Sequence, residues 1–182
     1  MASRPAPGRL EIVRRLINSQ ELDLGTDDLV TADDLGRWLQ DNGYAYDSVG
    51  RVDVRRMREL RDVVTRWAAC NHDGAAMPAA VMDSANQLAR WCGLHAELTT
   101  SGWHLRPTRA GAGEVVGDLL GIVADAQADG TWERLKLCDN ATCRWAFYDA
   151  SRSRRARWCT MDGCGNRIKQ AAWRARHTGR AE

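Results

Sequence analysis

Over the first two thirds of the chain, apolar residues recur at the three–four spacing of helices that bury one face. Leu10, Ile12, Val13, Leu16 and Ile17 predict a short first helix, and the polar stretch 21–30 around Gly25 predicts a loop. Thr31 predicts the N-cap of a second helix, with Asp33 and Asp34 in its first turn, Leu35, Trp38 and Leu39 on its buried face, and Asn42-Gly43 at its end. Acids in a first turn answer the helix dipole, so this pair is read as structural. The clearest helix runs from Val52 to Cys70, where Val54, Met57, Leu60, Val63, Val64 and Trp67 form the stripe. Arg55, Arg56, Arg58, Arg61 and Arg66 alternate with Glu59 and Asp62 and read as its solvated face. Asn71 to Gly74, including His72, predicts a turn. Pro78 fits the first turn of a helix reaching about Cys92, with Val81, Met82, Ala85, Leu88 and Ala89 inward and Gly93 as its stop. Alternation on both sides of Ser101-Gly102 predicts one β-hairpin, and a long apolar helix follows from about Gly113 to Ala128.

Beyond Leu137 the pattern stops. Ile168 is the only Leu, Ile or Val in the rest of the chain, so that segment must be held by something other than an aliphatic core. It carries Cys138 and Cys143, then Cys159 and Cys164, with four residues inside each pair and fifteen between the pairs. Two such pairs suit a tetrahedral sulfur site for structural Zn²⁺, at the long end of the usual internal spacing. Two disulfides are the alternative. The opening MASRPAPGRL lacks the apolar stretch of a secretory signal, so a cytoplasmic, reducing location is expected, where paired cysteines more often hold metal. Cys70 and Cys92 lie on apolar patterns and read as buried small hydrophobes. Cys164 precedes a helical pattern that Asn166 is placed to cap, with Arg167 tying down a knuckle. The order is a first knuckle, a short hairpin, a second knuckle and a helix. The expected fold is therefore mainly α (α+β): a helical N-terminal domain with one β-hairpin over residues 8–133, then a small treble-clef-like zinc finger over 134–178. Trp132, Leu135 and Leu137 are placed to pack the second against the first.

Charge sharpens this division. The net charge is only +2, but from residue 144 onward ten Lys/Arg face three Asp/Glu, whereas residues 1–143 carry sixteen against twenty-one. A cationic end on an acidic body suggests a polyanion-binding module joined to a regulatory or assembly body. Candidate nucleic-acid contacts are Arg152, Arg154, Arg155 and Arg157 between the knuckles, and Arg167, Lys169, Trp173, Arg174 and Arg176 on the last helix. There Ile168, Ala171 and Ala172 form the apolar stripe between cationic edges. Trp145, Phe147, Tyr148 and Trp158 read as packing. The alternative is a zinc-stabilised protein-interaction or assembly module that docks an acidic surface, such as another copy in a homo-oligomer. The body is larger than a tether requires, which suggests a small-molecule effector there. No apolar run approaches a membrane span. No Ser–His–acid or Cys–His spacing nominates a catalytic set, so the chain is not expected to be an enzyme.

The run 134–176 resembles the CGNR zinc-finger family. The residues that carry this are Leu135-Lys136-Leu137-Cys138, Cys143, Trp145, Phe147-Tyr148-Asp149, Ser151-Arg152, Arg157-Trp158-Cys159, Met161, and Cys164-Gly165-Asn166-Arg167 with Lys169. The upstream part resembles the ABATE domain that precedes the finger in those proteins, through an apolar segment, the stretch 33–39 and the Leu60-Arg61 helix. Ser153 and Thr160 stand where Asn and Ser are common in the family. The resemblance implies a bacterial, stress-induced transcription regulator, with the four cysteines as zinc ligands and the finger as its DNA-binding part.

Overall fold

The computed structural model describes residues 4–45 and 48–178, excepting the side chains of Ala171, Ala172, Ala175, Arg176 and Thr178. Arg176 as a contact, and the Ala171-Ala172 part of the last apolar stripe, thus lie outside the described residues. The chain runs α1 (Leu10–Ile17), β1 (Gln20–Glu21), β2 (Thr26–Asp27), α2 (Ala32–Asp41), α3 (Arg51–Cys70), α4 (Ala79–Cys92), β3 (His95–Thr99), β4 (Gly102–Arg106) and α5 (Ala112–Ala128). A short 3₁₀ turn, Trp132–Arg134, leads into β5 (Leu135–Leu137), β6 (Ala146–Tyr148) and α6 (Asn166–Thr178).

α5 is the central element. Val115, Val116, Leu119, Leu120, Ile122, Val123 and Ala126 are all buried, because α1, α3, α4 and β4 pack around it. β3–β4 is the predicted hairpin, with Thr99 opposite Gly102. It can lie close to α5 because Gly117 has no Cβ: one built there would sit 2.5 Å from Cβ of Pro107. Thr31 and Asp34 cap α2 reciprocally, Asp34 N–H donating to Thr31 Oγ1 at 3.2 Å and Thr31 N–H to Asp34 Oδ2 at 2.8 Å. α4 ends at Gly93, whose φ of +65° is the left-handed value a Gly stop requires.

Four expectations for the body change. Residues 20–27 are not merely a loop: β1 and β2 pair antiparallel about a turn in which Gly25 has φ +67°. With β3–β4 and β5–β6 that ribbon makes three two-stranded ribbons, where the sequence predicts two, one in the body and one in the finger. Arg61 is not on a solvated face. It is buried, and its guanidinium forks onto Asp27 at 2.6 and 2.8 Å while also donating to Ser19 Oγ at 3.0 Å. Met82 points outward, since α4 offers the core a narrow face through Val81, Leu88 and Cys92. Cys92 is buried as expected, but Cys70 is only half-buried at the end of α3.

The core does not stop at residue 133. Leu135, Leu137 and Ala146 belong to the same buried cluster as the helices. Trp132, packed edge-on to Trp67 at 5.1 Å, sits beneath the junction. Two Asn side chains fasten the segment. Asn18 at the end of α1 donates to Ala146 O at 2.9 Å and accepts from Ala146 N–H at 2.7 Å, while Asn71 donates to the carbonyls of Trp132 and Leu135 at 2.8 and 3.0 Å.

Candidate metal centre

β5 and β6 pair antiparallel, Leu137 opposite Ala146, and the first cysteine pair sits in the connection between them. Cys138 follows β5 directly, and its N–H donates to Trp145 O at 2.9 Å. Within the knuckle, Asn140 O accepts from the N–H groups of Cys143 and Arg144 at 2.9 and 3.0 Å, which turns the chain back. The hairpin therefore brackets the first knuckle. It does not lie between the knuckles, as the sequence predicts, because Leu135, Leu137 and Ala146 are the apolar residues available to pair and bury. The second pair spans a wide π-type turn, Met161–Gly165, that runs straight into α6. The cap there is Thr160, whose Oγ1 accepts from Gly163 N–H at 3.2 Å. Asn166 is instead an ordinary helical residue at φ −70°, ψ −40°.

The four sulfurs of Cys138, Cys143, Cys159 and Cys164 all lie within 4.8 Å of one another. Cys143 Sγ and Cys159 Sγ are 3.8 Å apart, as are Cys159 Sγ and Cys164 Sγ. A disulfide needs about 2.05 Å, whereas a tetrahedron of Zn–S bonds of about 2.3 Å has edges of about 3.8 Å. This donor set fits structural Zn²⁺, and the spacing rules out disulfides among these pairs. A hydrogen bond from the Cys159 thiol holds Cys138 down to about 5 against the cost of burial, helped by the N–H groups of Cys159 and Asn140. Burial pushes Cys143 up to about 12, and Cys159 is raised by its bond to Cys138. Without a cation, then, a thiolate at Cys138 is tolerated while Cys143 and Cys159 favour the thiol; a divalent ion reverses that preference. Asn140 Nδ2 lies 3.4 Å and Arg167 Nη2 4.0 Å from Cys164 Sγ, both as donors behind that sulfur.

The stretch 149–157 carries the arginines as an irregular loop with a buried anchor. Asp149 is almost wholly inaccessible, at 2% exposed. It accepts from Lys136 Nζ at 3.1 Å, from Ser151 Oγ and N–H at 2.6 and 3.1 Å, and from Ala156 N–H at 2.9 Å. Burial works against its charge, but the Ser151, Lys136 and Ala156 bonds outweigh it and hold the carboxyl below the usual range. Lys136, equally buried, also donates to Arg154 O at 2.6 Å, where the backbone takes the left-handed φ of +52°. No periodicity flags this pair; the only sequence signal is that both residues fall among those shared with the finger family.

Arg152, Arg154, Arg155 and Arg157 are all exposed on this loop. Arg157 pairs with Asp139 of the first knuckle, and Arg154 lies 3.6 Å from Glu133. Arg152 and Arg155 have no carboxylate partner among the described residues. On α6, Arg167 lies 3.9 Å from Asp23 of the β1–β2 turn, Lys169 Nζ is 5.9 Å above the Trp158 ring, and Trp173 stacks on His177 at 4.3 Å, both exposed. Arg174 is exposed as well. Phe147 is buried and Trp145, Tyr148 and Trp158 are half-buried, in keeping with packing roles. His72, in the turn after α3, faces Asp139 Oδ1 at 3.2 Å.

A closed four-thiol centre seated on a helical body defines a zinc-finger protein. A family model for the CGNR zinc finger matches residues 134–177. The ABATE model, described as "Putative stress-induced transcription regulator", matches residues 11–130, and the chain belongs to that family. No curated protein matches the chain. Both families are of regulatory or zinc-finger kind, and no helix among the described residues is long and apolar enough to cross a membrane.

Proposed function

We propose that this protein is a cytoplasmic, DNA-binding transcription regulator. Cys138, Cys143, Cys159 and Cys164 hold one structural Zn²⁺, and the 149–157 loop and α6 meet the phosphate backbone. Coordination supplies folding free energy, about 10–16 kcal/mol apparent in small finger peptides. The finger's own residues do the rest. The observation that carries the reading is the loop itself: four exposed arginines within six residues, cinched at its base by the buried Asp149–Lys136 pair. Guanidinium groups suit phosphates because the planar fork donates two bonds at once. Contacts of this kind set affinity and orientation, with little choice of sequence.

Metal analysis of purified protein should return one zinc per chain, and none after Cys138→Ser with Cys164→Ser. Mobility shifts across a salt series should give a log–log slope near −4.5 for about five neutralised phosphates, and Arg152→Ala/Arg155→Ala should flatten it by about 1.8. Salt-independent binding would defeat the reading. A loop variant that loses its oligomeric state by light scattering, in a protein that never shifts DNA, would make the finger an assembly module instead. The acidic body is read as the part that responds to a small-molecule effector.

A further inference from the structure

On the far side of α1 from the finger lies a cavity of about 500 Å³, within the range of small-ligand sites. Three arginines from two stretches of chain line it: Arg9 before α1, and Arg106 and Arg109 in the run that joins β4 to α5. Such convergence stands out in a body that carries more acids than bases. The three are not equally committed. Arg9 donates to Asp118 at 2.5 Å, where the Tyr44 hydroxyl also donates at 2.6 Å, so the Asp118 carboxylate is already occupied. Among the described residues Arg106 has only the exposed Glu97 as a carboxylate partner, at 3.5 Å. Arg109 is aimed by its Nε bond to Trp91 O at 2.7 Å and by the Trp91 ring beneath it at 5.0 Å. Its terminal nitrogens have no carboxylate partner among the described residues.

We propose that this cavity binds a small anion bearing a phosphate or carboxylate group, and that α1 carries its occupancy to the finger. Arg109 and the lightly held Arg106 supply the donors, and Glu114 on the same wall accepts from a hydroxyl or amine elsewhere on the ligand. The mechanical link is short. Arg9 is the N-cap of α1 and Asn18 its C-cap. Eight helical residues span about 12 Å, and a helix moves as a rod over that length. At the far end Asn18 holds Ala146 of β6 through both its N–H and its carbonyl, and Arg14 Nη1 reaches the same carbonyl at 3.4 Å. An anion that draws Arg9 from Asp118 therefore pulls on the element that grips the finger hairpin. The proposal rests on the effector reading of the body and is independent of whether the finger binds DNA.

The test uses the full-length, zinc-loaded protein. Titration calorimetry is run with inorganic phosphate and, separately, with citrate, so the two arms distinguish phosphate from carboxylate recognition. At least one should bind with Kd below about 10 mM, and Arg106→Ala/Arg109→Ala should weaken it about tenfold or more, as loss of charge-assisted donors predicts. Arg106→Glu, a surface change, covers the case in which the double variant does not fold. Hydrogen exchange at 144–148 should change on binding in the parent protein. Asn18→Ala should bind the anion equally well and show no such change. Failure of both anions to bind, or undiminished binding by the Arg variants, overturns the site. Binding that leaves exchange at 144–148 untouched overturns the coupling. Loss of DNA binding with anion binding intact would count against the finger's proposed role and leave this site standing.

Discussion

Lys136 and Asp149 stand opposite each other inside the finger with almost no exposure, and neither charge has water to fall back on. Such a pair is weak evidence of net stabilisation against an apolar replacement, but removing one partner strands the other. Asp149→Ala or Lys136→Met should therefore cost about 3–5 kcal/mol in urea or thermal unfolding of the finger. Asp149 also sets a pH dependence. Its folded-state pKa is depressed, so its contribution is complete above the unfolded-state value and is lost as pH falls through the folded one. Hydrogen exchange should show segment 149–157 losing protection below about pH 4, the ordinary carboxylate range, and Asp149→Asn should abolish that step by losing the loop at every pH. Arg61 with Asp27 is the matching case in the body: Asp27 is held below the usual range chiefly by the Arg61 bonds. Arg61→Ala should detach the β1–β2 ribbon and with it the Asp23 contact to Arg167.

The two strands of the finger are only three residues each, and the loops around them are tied by hydrogen bonds. Asp139 at the head of the first knuckle donates its N–H to Arg157 O at 2.9 Å and takes the Arg157 side chain as well, so the arginine loop closes onto the metal centre. Chelation should therefore loosen the loop and α6 together, read as a joint loss of exchange protection over 138–178 with α1 to α5 still protected. Thr160→Ala removes the cap of the second turn and should cost about 1 kcal/mol. In the body, Gly117→Ala puts a methyl into the Pro107 ring; about 1–3 kcal/mol of destabilisation is expected by thermal unfolding, the usual cost of overpacking. A milder result would mean that β4 can move away from α5.

At the scale of the whole molecule, the finger is built onto the body, not tethered to it. Leu135 and Leu137 are buried against the helices, and excision at residue 134 would expose them along with Ala146. A 134–178 fragment should bind zinc more weakly than the full chain and show a broad, non-cooperative melt. The helices and the four-cysteine cluster were legible in the chain because each is a local signal. The three–four spacing of Val54, Met57, Leu60 and Val64 needs only neighbours within one turn, and the four thiols stand in two tight pairs at metal-ligand spacing. The buried ion pairs were not legible, since Arg61 and Asp27, or Lys136 and Asp149, look in sequence like any other charges. Nor was the hairpin around the first knuckle: its strands are three residues each, too short for alternation to register. The sequence by itself determined the helical body, the four sulfurs and the cationic tail, because periodicity and spacing are properties of adjacent residues. Only the tertiary structure decided which charges are buried, where the arginine loop is anchored and how Asn18 grips Ala146, because those pairings join residues that meet only after the chain has folded.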